Sequence, residues 1–253
     1  MKRLANTTLV CLSLVVAVIP ACDGRLNHLG DGRGGQGGNV GNVGDGGPMD
    51  VALDAPACPH AQIAANEVLW IGDSWMLVPT GVLRGAVRDQ ARATGAIGSS
   101  DDFASAAAAA TSLSAIAAQY SGQEAGVTKV KVLIMDGGTW DTITSGTSDA
   151  TVNGVASMFV QLLGKIAVDG TVQHIVYFLP PELSMIPGVA ALRPKLLEAC
   201  AASTVPCHFI DLQSVWMAHP GESLDTGLLP NDAGAHVVAD AIWSTMQQNC
   251  IAQ

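Results

Sequence analysis

Positive charge is scarce in this sequence: 12 Lys and Arg stand against 22 Asp and Glu, a formal net charge of −10. The few cations are scattered, so no basic stripe exists for a nucleic acid, and none is expected as a partner. Also lacking are Cys-x-x-Cys pairs, His-x-x-x-His spacing and an EF-hand-like acidic run, so no metal site and no cofactor is expected. There is no Gly-rich loop ending in Gly-Lys-Ser/Thr and no glycine spacing that would wrap a dinucleotide, which removes the common nucleotide sites. No internal repeat is found. What the chain has in quantity is apolar side chains, 49% of 253 residues with only 13% charged, ample for one sizeable core.

The N-terminus reads as an export signal. Lys2 and Arg3 precede an apolar run from Leu9 to Ile19 that is too short to span a bilayer as a mature helix. The run ends in "IPAC", which resembles a bacterial lipobox and makes Cys22 the expected lipidated N-terminus; a signal peptide cleaved nearby and a short membrane anchor are the alternatives. Residues 23–57 are rich in Gly and Asp and have no aromatic and no helical or strand period. Such a segment buries too little apolar surface to offset its ordering entropy and is expected to be a flexible tether. The expected organisation is therefore a lipoprotein-type signal over 1–22, a tether over 23–57 and one folded domain over 58–253, in a cell-envelope protein attached to a membrane through Cys22.

Four cysteines belong to that domain: Cys58, Cys200, Cys207 and Cys250. An even number in an exported domain suggests two disulfides, with three possible pairings. Cys200 and Cys207 fall at the end of a predicted helix and the start of the next strand, close enough to pair locally. Cys58 and Cys250 would then join the two ends of the domain.

After residue 60 short apolar runs alternate with helical stretches. "EVLWIGD", "VKVLIMD", "HIVYFLP" and "CHFIDL" read as strands buried on both faces, with a weaker one near Asp102–Ala104. Helical patterns occupy about 81–93, 106–119, 150–168, 189–201 and 232–248. This rhythm implies a three-layer α/β/α domain around a parallel sheet of about five strands, flavodoxin-like in strand order. Sites in such sheets form beyond the carboxyl ends of the strands. Those ends carry Asp73-Ser74, Asp136-Gly137-Gly138, Pro180-Pro181-Glu182 and Asp211.

Of these, "GDS" at Gly72, Asp73 and Ser74 is the most suggestive, because a serine in a strand-to-helix turn is exposed beside free backbone N–H groups that can hold an oxyanion. The competing reading is a turn in which Asp73 or Ser74 merely caps the helix. The pattern "VLWIGDSW" near the start of an alternating α/β domain resembles the first block of the SGNH/GDSL hydrolase family, and the resemblance runs from about residue 67 to 248. It implies that Ser74 is a nucleophile forming an acyl-enzyme, with no cofactor. A glycine of a second block should fall in "FASAAAAATS", where there is only alanine. The third block reads "MDGGTWD": either Thr139 or Trp140 takes the place of the family's oxyanion-hole Asn, Asp141 matches the closing Asp, and Gly138 belongs to the same turn. Trp75 and Trp140 are both expected at the rim, where they would stack on a substrate ring or else pack at the edge of the core.

The fifth block departs most. Aligning "DTGLLPNDAGAH" on its "PN" puts Leu229 where the resemblance expects the catalytic His. His219 and His236 are the candidates to replace it, with Asp225 the favoured orienting carboxylate and Asp232 and Asp211 its competitors. Each His also has a plain reading, His219 as a solvated loop residue and His236 as a helix residue packing on the loop. The expected activity is hydrolysis of a small ester or acylated carbohydrate by Ser74. The alternative is a catalytically degenerate module that keeps the pocket and binds a glycan or envelope component.

Overall fold

A computed structural model describes residues 63–77, 81–124, 129–183, 186, 188–219, 224–225 and 228–251. The signal, the tether, Cys22 and Cys58 lie outside them.

Five parallel strands form one sheet: β1 (Val68–Ile71), β2 (Ala104–Ser105), β3 (Val132–Met135), β4 (His174–Leu179) and β5 (Cys207–Asp211). Their order is β2-β1-β3-β4-β5, the flavodoxin-like order expected. The central runs VLWI, VLIM and IVYFL are buried at every residue, as a sheet covered on both faces requires. Helix α2 (Val82–Ala93) packs on α8 (Asp232–Gln248). Helices α3 (Leu113–Glu124), α5 (Asp149–Asp169) and α6 (Val189–Ala201) pack in series as the second helical layer. Three short helices sit directly after strands: α1 (Ser74–Leu77), α4 (Thr139–Ser145) and α7 (Leu212–Met217). A two-residue hairpin, β6 (Leu224–Asp225) and β7 (Leu229–Pro230), precedes α8.

Helix α3 starts at Leu113, not near Ala106 as the alanine run suggests. Residues 106–108 instead continue along the edge of the sheet, where the Ala106 N–H donates to the Trp70 carbonyl and the Ala108 N–H to the Gly72 carbonyl, and a turn at 109–110 leads on to α3. These backbone partners outweigh the helix preference of alanine, which is a few tenths of a kcal/mol per residue. Asp141 Oδ2 then accepts the Leu113 N–H at 2.8 Å and fixes where α3 begins.

Cys200 and Cys207 are joined by a disulfide, with Cα atoms 5.3 Å apart, which ties the end of α6 to the start of β5. Cys250 is also disulfide-bonded. Its expected partner, Cys58, lies outside the described residues.

Candidate active site

The "GDS" turn is held from below by side chains that are distant in sequence. Gln119 on α3 grips Gly72 at both backbone groups: the Gly72 N–H donates to Oε1 at 2.8 Å and Nε2 donates to the Gly72 carbonyl at 3.0 Å. The Asp73 N–H donates to Asp136 Oδ1 at 2.7 Å. Asp73 is itself the cap of α1, its Oδ1 accepting the Trp75 N–H at 3.1 Å, and its Oδ2 accepts the Thr139 hydroxyl at 3.1 Å. The capping role that competed for Ser74 thus belongs to Asp73.

Asp73 and Asp136 are a buried carboxyl pair, 3% and 0% exposed. Burial is the main cause that raises both of their pKa values, and Asp136 rises well above the ordinary carboxylate range because the charge of Asp73 adds to it. Asp136 Oδ2 has no hydrogen-bond partner. Burial also raises Asp141, whose carboxylate is turned to α3. Asp73 therefore supports the turn together with Gly72, whereas Asp141 anchors the start of α3 and Gly138 is the left-handed residue that precedes α4.

Ser74, left uncommitted to capping, points across the turn. Its Oγ accepts the Ala110 N–H at 2.9 Å. Ala110 has φ of 55°, the left-handed conformation that favours glycine. It lies in "FASAAAAATS", the run where the resemblance expects a glycine, and no sequence signal distinguishes it from its alanine neighbours. Relief of left-handed strain is worth about 1–2 kcal/mol, against about 0.4–1 kcal/mol for the extra unfolded-state freedom of glycine. Ala110→Gly is accordingly expected to stabilise the chain by about 1 kcal/mol in urea denaturation, and a destabilised variant would contradict the strain.

Ser74 lines a cleft of about 30 Å³ with Asp73, Trp75 and Thr139 at its base. Its walls are apolar: Trp140, Ile143, Ile186, Leu228 and Leu229. Thr139 is 3% exposed and its hydroxyl is spent on Asp73. That leaves Trp140, half-buried on the wall, as the better placed of the two candidates for the altered oxyanion position. Trp75 is not at the rim as expected; it is 2% exposed, because α1 packs it edge-on against Trp216 of α7 at 5.9 Å.

The described lining of the cleft includes no histidine. His219 lies just beyond α7, exposed, three residues after the Trp216 that touches Trp75. His236 is exposed in the second turn of α8. Asp225 is paired through its backbone with Leu229, which brings this hairpin to the cleft wall. Asp211 is engaged elsewhere, capping α7 and paired with Arg193 at 3.1 Å.

A carbohydrate esterase of family 3 from Clostridium thermocellum superposes with a TM-score of 0.60 at 16% identity, over 74% of this chain and 96% of that one. This is the SGNH/GDSL hydrolase fold. The acetyl xylan esterase AlAXEase gives 0.58 at 15% identity, over 72% of this chain and 98% of its own. A member of the lipolytic G-D-S-L family from Veillonella parvula gives 0.56 at 13%, over 72% and 98%. No protein-family profile matches the sequence, and no curated protein matches it. At these identities the likeness establishes the SGNH/GDSL fold, with Ser74 at the end of its first strand.

Proposed function

We propose that the chain is an exported serine ester hydrolase in which Ser74 attacks an ester carbonyl and forms an acyl-enzyme. The observation that carries this reading is the contact of the Ala110 N–H with Oγ of Ser74, a residue that lines a largely apolar cleft. The Ala110 and Ser74 N–H groups are the oxyanion donors, assisted by Trp140. Attack transfers the serine proton to a base, the alkoxide of the ester leaves with that proton, and water repeats the sequence to release the acid. We assign the base to His219 ahead of His236, because the segment after α7 is already anchored beside Trp75 through Trp216. Asp225 orients it. The apolar walls suit the acyl part of a small ester or acylated carbohydrate, the class of substrate named for the esterase neighbours above. Export rests on Lys2, Arg3, the apolar run and the "IPAC" at Cys22.

One observation favours a second reading. Leu228 and Leu229 fill the wall where the family's histidine is expected, which suits a binding module without turnover.

Intact-mass spectrometry of the full chain, purified from a bacterial host and treated with a fluorophosphonate, separates the two. Catalysis predicts one adduct, absent from Ser74→Ala, with ester turnover in that variant lowered at least about a thousandfold. His219→Ala is expected to abolish the adduct while His236→Ala keeps it; the reverse result moves the base to His236. A folded wild-type chain with no adduct overturns the esterase reading. The same spectrum reads export, since the expected mature chain starts at a lipid-modified Cys22 and an unprocessed N-terminus would contradict it.

A further inference from the structure

The opposite end of the sheet, at the amino ends of its strands, holds a pair of side chains that ester chemistry at Ser74 does not use. His174 opens β4 and His208 is the second residue of β5. Val176 is the partner of His208 across the strands, and His174 lies two residues before it. Strand pleating therefore puts both imidazoles on one face, one step apart along the diagonal. Their rings stack at 30° with centroids 5.5 Å apart, and Nδ1 of His174 is 3.3 Å from Nε2 of His208.

We infer that His174 and His208 form a two-imidazole site for a divalent transition cation of the zinc or copper class, bound between Nδ1 of His174 and Nε2 of His208.

Two observations carry it. A tetrahedral cation with metal–nitrogen bonds of about 2.0–2.1 Å holds two nitrogen ligands about 3.3 Å apart, so the observed separation suits both a shared proton and a shared cation. Both rings are half-buried, enough to restrain them while leaving a path from solvent. Among the described residues no group of three or more His, Cys, Asp or Glu gathers, so the remaining positions fall to water. That makes the site one of modest affinity and selects imidazole-seeking cations over Ca²⁺ and Mg²⁺, which take oxygen ligands. The sequence gives no spacing motif for it, because the two residues stand 34 apart and meet only through strand pairing. A bound cation would clip the edge strand β5 to β4 beside the Cys200–Cys207 disulfide.

The test is calorimetric titration of the full chain with zinc chloride at pH 7.5, then with magnesium chloride. One equivalent of Zn²⁺ is expected to bind and to raise the unfolding temperature, with no response to Mg²⁺. His174→Gln and His208→Gln are each expected to weaken this binding at least tenfold, and the double variant hardly more than either. In case a variant fails to fold, the wild type is also treated with diethyl pyrocarbonate and mapped by peptide mass. Zinc should protect His174 and His208 while leaving His219 and His236 reactive. Absence of zinc binding at millimolar concentration, binding that survives both substitutions, or zinc that leaves the pair's modification unchanged would each overturn the site.

Discussion

Gly72→Ala is expected to cost the fold about 3–5 kcal/mol, enough to leave little soluble protein. A Cβ at this position would lie 1.8 Å from Asp136 Oδ1 and 2.8 Å from Met76 Cγ. The backbone there has φ of 149°, a region that side-chain-bearing residues rarely enter. Asp136 has no easy retreat, because its Oδ1 accepts the Asp73 N–H in a site with no exposure, and turning away would leave that donor unpaired. Nor does the turn yield readily, since Gln119 holds both backbone groups of Gly72. Urea denaturation of the variant, or its soluble yield if it cannot be purified, measures the effect. A loss under 1 kcal/mol would mean that the turn is far more compliant than its hydrogen bonds suggest.

This packing explains why a glycine precedes the Asp-Ser pair without reference to chemistry at Ser74. The carboxylate of Asp136 occupies the volume a side chain would need, so the glycine and the aspartate at the end of β3 form one unit. Gly137, next in the chain, works in the same way: its φ is 144°, and a Cβ would meet Ile116 Cδ1 at 2.5 Å. Its carbonyl accepts the buried Tyr177 hydroxyl at 2.7 Å. The turns after β1 and β3 are thus fastened to each other and to Tyr177 of β4.

How much of this was legible follows from which interactions are local. The strands announced themselves because VLWI, VLIM and IVYFL are apolar at every position, and only a sheet covered on both faces demands that. The order of strands followed from the alternation with helices. The long helices α2, α5, α6 and α8 were visible in their apolar period, and α6 and α8 occupy the expected residues. The short helices α1, α4 and α7 were not visible, because each is only a few residues long; α1 and α7 are capped by Asp73 and Asp211, and α1 is further braced by Asp136. The non-helical run at 106–108 was hidden because its stabilising partners are the carbonyls of Trp70 in β1 and of Gly72 just after it.

The site was legible to the same extent. Ser74 could be placed at the end of β1 from the run that precedes it. That Asp73 rather than Ser74 caps the helix, and that the Thr139 hydroxyl is committed to Asp73, depend on side-chain directions that no spacing encodes. Ala110 was hidden among identical neighbours, and only its φ separates it from them. Trp75 was misread as a rim residue because a tryptophan beside a polar turn resembles an exposed one until Trp216 is seen against it. Leu229, the departure from the family's fifth block, lines the cleft through the short hairpin that pairs it with Asp225.

Asp136→Asn is expected to stabilise the chain at pH 8, although it alters a fully buried residue that accepts a backbone hydrogen bond. The folded-state pKa of Asp136 is raised, first by burial and then by the charge of Asp73. Between the unfolded value, near 4, and that raised value, the native chain holds a proton that the unfolded chain has released. Stability is therefore greatest below the unfolded pKa and falls as pH rises through the folded one, by at most about 1.4 kcal/mol per pH unit for each proton. Asparagine keeps an oxygen for the Asp73 N–H and puts a permanent donor where the carboxyl needed a proton. Urea midpoints at pH 5 and pH 8 should show the wild type weakening over that interval, while the variant, which keeps the raised Asp73 and Asp141, weakens less and exceeds the wild type at pH 8 by about 1–3 kcal/mol, the usual cost of a buried polar group left unsatisfied. A variant less stable than the wild type at both pH values would mean that Asp136 is ionised in the fold and that a charge compensates it.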